Sequence, residues 1–124
     1  MRAELRDPAG RSPDPRHVNF QPIVAWRHRA EFPMLTHISP VGDTVYNSMQ
    51  VNTLIEELET IKTMIERQGT LRTVEALGSR DIFQDARLFG WDLESGLPDM
   101  VDDLIEMCWA TREPGHKSLW FLGL

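Results

Sequence analysis

The clearest periodic pattern in the chain lies between residues 51 and 65. Val51, Leu54, Leu58, Ile61 and Ile65 recur at spacings of three and four, and Ile55 widens the stripe. This is one face of an α-helix, with Glu56, Glu57, Glu59, Lys62, Glu66 and Arg67 filling the other faces. The start of the helix is specified in detail. Asn47 is a good N-cap, and Gln50 follows three residues later, the spacing of a reciprocal capping box. Tyr46 before the cap and Val51 after it have the spacing of a hydrophobic staple, and Gly69 supplies the stop. A helix over about 47–67 follows.

A second helix is predicted over about 98–112. Pro98 fits a first helical turn, and Asp99, Asp102 and Asp103 complement the positive end of the helix dipole there. Val101, Leu104, Ile105, Cys108 and Trp109 form its apolar face, Arg112 suits its C-terminal end, and Pro114-Gly115 terminates it.

Three stretches read as extended. Residues 17–26 carry Val18, Phe20, Ile23, Val24 and Trp26, interrupted by Pro22, which fits an edge strand or a broken one. Arg27-His28-Arg29 then reads as a solvated turn, and Phe32 to Ile38 as an apolar patch with a strand at 34–38. Ser118-Leu119-Trp120-Phe121-Leu122-Gly123 is an apolar run of strand length, read as a buried strand or a docked terminus.

The remaining segments carry weaker patterns. Leu71, Val74 and Leu77 suggest a short helix ending at Gly78. Ser79 could cap another segment with Ile82, Phe83, Ala86 and Phe89 on one side, and Gly90 to Gly96 reads as loop. In residues 1–16, Pro8, Gly10, Pro13 and Pro15 break regular structure among alternating charges, so this stretch is expected to be a disordered tail. The predicted architecture is α+β: a single globular domain over 17–124, with a small antiparallel or mixed sheet and the helices at about 47–67 and 98–112 packed on it.

Charge sharpens this picture. The formal net charge is −6, and it is uneven. Residues 1–31 hold six arginines against four acids, whereas residues 32–124 hold seven basic residues against fifteen acids. The folded part therefore repels phosphate backbones, which argues against nucleic acid and suits a basic protein partner. The simpler role of such acidity is solubility. No apolar run has the roughly 20 residues needed to cross a bilayer, and residues 1–16 lack an apolar signal core, so a cytoplasmic protein without membrane contact is expected. Cys108 is the lone cysteine and lies within an apolar helical pattern, which fits a buried hydrophobe better than a nucleophile.

Recognisable catalytic chemistry is absent from the sequence: there is no P-loop, GxGxxG, HExxH, CxxC or GxSxG. His17, His28, His37 and His116 have no helical ligand spacing. His17, His37 and His116 could meet across a sheet as a zinc site, but solvated or capping roles fit them better. Asp99, Asp102, Asp103 and Glu106 share a helix flank and could form an acid–base pair or hold a divalent cation, yet acids in a first turn are already expected on dipole grounds. Asp43, Thr44 and Tyr46 form the remaining polar set, as a turn or as a small site. No cofactor, metal or catalytic residue is assigned.

Phe32, Pro33, Leu35, Gly42, Asp43, Thr44, Val45, Tyr46, Asn47, Gln50, Leu54, Glu57 and Leu58, with the Ser118–Gly123 ending, carry a resemblance. The pattern is similar to a family of small actinobacterial proteins sharing F-P-x-L, G-D-T-V-[FY]-N-x-x-Q and L-x-x-E-L, with a terminal aromatic-aliphatic-x-G-D. Leu124 stands where that pattern has an acid, residues 70–96 are longer, and the match spans less than half the chain. The resemblance implies a shared fold and no activity.

Three functional readings result. The first is a small acidic binding protein, immunity- or antitoxin-like by analogy of size and charge, that meets a basic protein and is anchored by an aromatic such as Trp91. Its contact residues would come from Asp43, Thr44, Tyr46, Trp91, Asp92, Glu94, Asp99, Asp102 and Asp103. The second is a small-ligand protein or enzyme with a pocket around Asp43, Thr44 and Tyr46. The third is a structural subunit of a homo-oligomer, in which 118–124 adds a strand to a neighbour.

Overall fold

A computed structural model of the chain describes residues 1–12, 16–39, 41–78, 87, 90–113 and 118–123. Its elements, in chain order, are β1 (Arg2–Arg6), β2 (His17–Asn19), a 3₁₀ turn (Trp26–His28), α1 (Pro33–Thr36), β3 (Thr44–Tyr46), α2 (Ser48–Gln68), α3 (Thr70–Leu77), α4 (Leu93–Ala110) and β4 (Ser118–Leu122). The four strands form one antiparallel sheet in the order β2-β1-β4-β3, so the fold is α+β.

The largest departure from the sequence reading is at the start of the chain. Residues 2–6 form an interior strand of the sheet and not a tail. Arg-Ala-Glu-Leu-Arg alternates polar and apolar positions with the period of a strand. Ala3 and Leu5 are fully buried on the helix-covered face. Glu4 points to the other face, where Arg6 pairs with it at 2.8 Å and Arg2 at 3.4 Å. The arginines that suggested disorder neutralise the one acid of the strand.

Three further boundaries move. The 17–26 stretch keeps strand pairing only over His17–Asn19, and the chain then leaves the sheet around Pro22. The Ala25 N–H bonds to the Leu77 carbonyl at 2.6 Å, docking this segment on the end of α3. Residues 33–36 are a helical turn rather than a strand, with Pro33 at its first position. The last helix starts at Leu93, five residues before Pro98, with Asp92 as its N-cap. Pro98 lies inside the helix and lacks the N–H that would bond to the Glu94 carbonyl; the Thr70 hydroxyl of α3 donates to that carbonyl instead, at 3.3 Å.

The helix α2 follows its predicted course. Asn47 and Gln50 form both bonds of the capping box at 3.0 Å. Gly69, with φ of 88°, ends α2 and precedes α3 directly. The core is one layer between the sheet and the helices. Phe121 of β4 lies at its centre, edge-on to Phe20 at 5.2 Å and to Tyr46 at 5.8 Å. Val51, Leu54, Leu58 and Ile61 of α2 and Leu97, Val101, Leu104 and Cys108 of α4 close over it. α2 packs beside β3, and α4 packs over β1 and β2. The expectations placed on Ser79 to Phe89, on Pro114-Gly115, on His116 and on Leu124 lie outside the described residues.

Candidate functional site

Glu57, Leu35 and Tyr46, three of the residues that carried the resemblance, meet around the backbone of α1. The carboxylate of Glu57, 5% exposed, accepts the N–H of Leu35 and the N–H of Met34, each at 3.0 Å. It thereby caps α1 from the middle of α2, a role the sequence reading missed when it placed Glu57 among the residues filling the faces away from the apolar stripe. Burial raises the pKa of this carboxyl above the usual range, and the two N–H groups and His37 offset part of that rise. The Tyr46 hydroxyl donates to the Met34 carbonyl, and burial, then the nearby Glu57 charge, push the phenol up to about 12. Thr44 Oγ1 accepts the Ser39 N–H at 3.0 Å. A Cβ on Gly123 would lie 2.4 Å from the Gly42 carbonyl oxygen, so the two chain segments touch through glycine.

These contacts bear on the Asp43, Thr44 and Tyr46 set. Tyr46 is buried with its hydroxyl engaged, Thr44 fixes the entry to β3, and Asp43 stands exposed on the turn. The hydroxyls of Thr44 and Tyr46 are thus engaged with backbone groups of the neighbouring segments. Trp91, Asp92 and Glu94 are likewise employed in the fold. Trp91 is half-buried with its indole against Gly96, where a Cβ would meet Nε1 at 2.2 Å. Asp92 accepts the Glu94 N–H at 3.2 Å and the Ser95 hydroxyl at 2.9 Å. Glu94 occupies the first turn, where the helix dipole favours an acid.

The acids of α4 are different. Because the helix begins at Leu93, Asp99, Asp102, Asp103 and Glu106 lie beyond its first turn, and the dipole no longer accounts for them. They are exposed and share one flank at spacings of three and four. Asp102 pairs with Lys62 of α2 at 2.9 Å. Asp103 has its pKa raised, first by partial burial and then by Asp99, Glu106 and Asp102. Asp99, Asp103 and Glu106 thus sit among like charges, while Asp102 is compensated by Lys62.

This acidic stripe ends at an aromatic. Trp109, expected on the apolar face, is 47% exposed. Arg112 lies 4.3 Å over its ring and also bonds to Asn52 of α2, so the indole is held in place on the surface. Beside the stripe runs an open groove of about 190 Å³ between β2 and α4, lined by Arg16, His17, Val18, Asp103, Glu106 and Met107. Drug-sized ligands take pockets of about 300–1,000 Å³; this groove is smaller, whereas a more open one of about 340 Å³ beside Glu31, Pro33, Glu56 and Glu57 reaches that range. Among the described residues, no His/Cys/Asp/Glu cluster has metal-binding geometry, and no helix is long and apolar enough to cross a membrane. His37 Nδ1 lies 2.6 Å from the Pro33 carbonyl, and its ring meets Trp26 edge-on. Cys108 is fully buried, and burial pushes its thiol up to about 12, which leaves it inert.

Comparison with known protein families, with curated proteins and with solved structures finds no match to this chain.

Proposed function

We propose that this protein is a non-catalytic binding module that docks a basic protein on the outer flank of α4. The observation that carries the reading is the exposed stripe beyond the first turn, Asp99, Asp103 and Glu106 with Asp102 paired to Lys62, which ends at an exposed, pre-oriented Trp109. Like charges at these spacings each cost an isolated helix about 0.2–0.5 kcal/mol. A cationic partner relieves that repulsion, and the acidic field speeds its encounter. Trp109 supplies the desolvated aromatic anchor on which interface energy concentrates. In size and charge the module is comparable to cytoplasmic immunity or antitoxin proteins, which act by covering a partner.

The test is affinity capture of the tagged protein from its native lysate at low and high salt, beside a variant carrying Asp99→Lys, Asp103→Lys and Glu106→Lys. A stoichiometric basic protein held by the wild type at low salt, and lost both at high salt and in the variant, is the expected result. Retention of the same partner by the charge-reversed variant, or no partner at either salt, would sink the reading.

A further inference from the structure

Sheet order leaves β2 and β3 as the two edges. An edge strand is a template for another chain unless it is blunted by charge, by brevity or by cover. The β2 edge is blunted: Arg16 precedes it, His17 and Asn19 point outward, and its one apolar residue, Val18, is buried. The β3 edge is not. Among the described residues, three of the six exposed large hydrophobics fall within 41–49: Val41 and Met49, each 79% exposed, and Val45, 43% exposed. The expectation that 118–124 adds a strand to a neighbour does not fit this topology, because β4 is interior, between β1 and β3.

We infer that β3 pairs antiparallel with β3 of a second copy, about a twofold axis at Val45. The spacing of the surrounding residues is self-complementary about that position. Val45 meets Val45 and Thr44 faces the second copy's Tyr46, while exposed Val41 before the strand and exposed Met49 in the first turn of α2 flank the contact at equal sequence distance from Val45. Charge agrees with this register. Asp43, the one charged residue in 41–49, lies opposite the second copy's Asn47, at the N-terminus of α2. The first turn of that helix carries no acid of its own, and its dipole attracts a carboxylate. An isologous twofold contact is closed, so the assembly stops at a dimer with a continuous eight-stranded sheet. The rung His17, Glu4, Trp120, Val45 then runs across the axis into its own mirror order. α4 packs over β1 and β2, so its acidic flank stays clear of this contact. The inference therefore stands apart from the α4 reading, and either can fail alone.

Sedimentation velocity over a concentration series tests it, using the full chain and two substitutions at the axis. The wild type is expected to sediment at twice the 14.3 kDa chain mass. Val45→Lys places two like charges across the axis and is expected to halve the mass while circular dichroism keeps the fold. Val45→Cys is expected to oxidise to a disulfide-linked dimer, because facing Cβ atoms lie about 4.5–5.5 Å apart, close to disulfide reach. Leu71→Cys on α3, 43% exposed, is expected to stay unlinked, and buried Cys108 does not interfere. Should Val45→Lys fail to fold, Val45→Cys against Leu71→Cys decides alone. A one-chain mass at every concentration, a dimer that survives Val45→Lys, or a dimeric Val45→Cys that does not cross-link overturns the inference.

Discussion

The Glu57 carboxylate on α2 accepts the backbone N–H of Leu35 at 3.0 Å and so caps a helix whose sequence lies 22 residues earlier. With the Met34 N–H on its other oxygen, it satisfies two donors of α1 that have no local acceptor. Glu57→Ala orphans both donors in a buried site, and each should cost about 1–3 kcal/mol. Urea denaturation measures this loss. Glu57→Gln keeps one acceptor but turns an amide N–H toward the other donor, so it should lose less than Glu57→Ala. Because the folded-state pKa is raised, the contribution of Glu57 is fullest below its ordinary value and falls as pH rises through the raised one. The stability gap between wild type and Glu57→Gln should therefore shift in favour of wild type as pH is lowered from neutral. A gap independent of pH would contradict that assignment.

β1 is the strand on which the sheet depends, since it holds both β2 and β4. Leu5→Ala empties a fully buried position and should cost about 2–5 kcal/mol. Total stabilities are about 5–15 kcal/mol, so deletion of residues 1–6 should leave the chain without cooperative thermal unfolding. A deletion variant that melts like wild type would show these residues to be dispensable.

Tyr46 is the only tyrosine, so its ionisation can be read directly by ultraviolet absorbance. Tyrosinate should form with a midpoint of about 12 in the folded protein and near the ordinary 10.0 in denaturant. The sign for stability follows from linkage: the folded state holds this proton longer, so the contribution is complete below pH 10.0 and is lost as pH rises toward about 12. Tyr46→Phe should remove that alkaline loss and cost about 1–3 kcal/mol at neutral pH, since the Met34 carbonyl loses its donor. A free-tyrosine titration curve in the native protein would contradict the buried placement.

Gly123 meets Gly42 without room for a side chain. Gly123→Ala sets a methyl against backbone atoms at 2.4 and 2.5 Å, and β3 must move away from the end of β4 to admit it. A loss of about 1–3 kcal/mol is expected, the usual range for overpacking. Gly90→Ala makes a useful comparison, because among the described residues nothing lies within 4 Å of its Cβ and its φ of 66° is what opposes the change. Equal losses at the two sites would mean that close approach is not what Gly123 provides.

Much of the scaffold was legible from local pattern. The course of α2 could be read because its cap, staple, stripe and stop all lie within the helix or beside it. β4 could be read from its apolar run. What escaped depends on distant partners. Glu57 falls three residues after Leu54 and four before Ile61, on the flank of the apolar stripe, so its burial left a trace; its acceptor role did not, because the donors are on α1. The alternation of Arg2 to Arg6 was a strand signal masked by charge, and only pairing on the outer face shows that the charges cancel. Pro98 looked like a helix start because a proline inside a helix leaves a carbonyl without a donor, and Thr70 supplies that donor from another helix. That one boundary matters most for the proposed function. With the helix starting at Leu93, Asp99, Asp102 and Asp103 lose the dipole explanation, and Trp109 rather than Trp91 becomes the exposed aromatic beside them.

The most direct measurement is the affinity of the captured partner for Trp109→Ala against wild type, by titration calorimetry. Trp109 is 47% exposed but carries Arg112 over its ring, so the substitution should cost about 1 kcal/mol or somewhat more of stability and leave the chain folded, which circular dichroism checks. The account predicts a loss of about 2 kcal/mol in binding, roughly 30-fold in Kd, with the fold intact. Unchanged affinity in Trp109→Ala would place the interface elsewhere and contradict the assignment of the α4 flank.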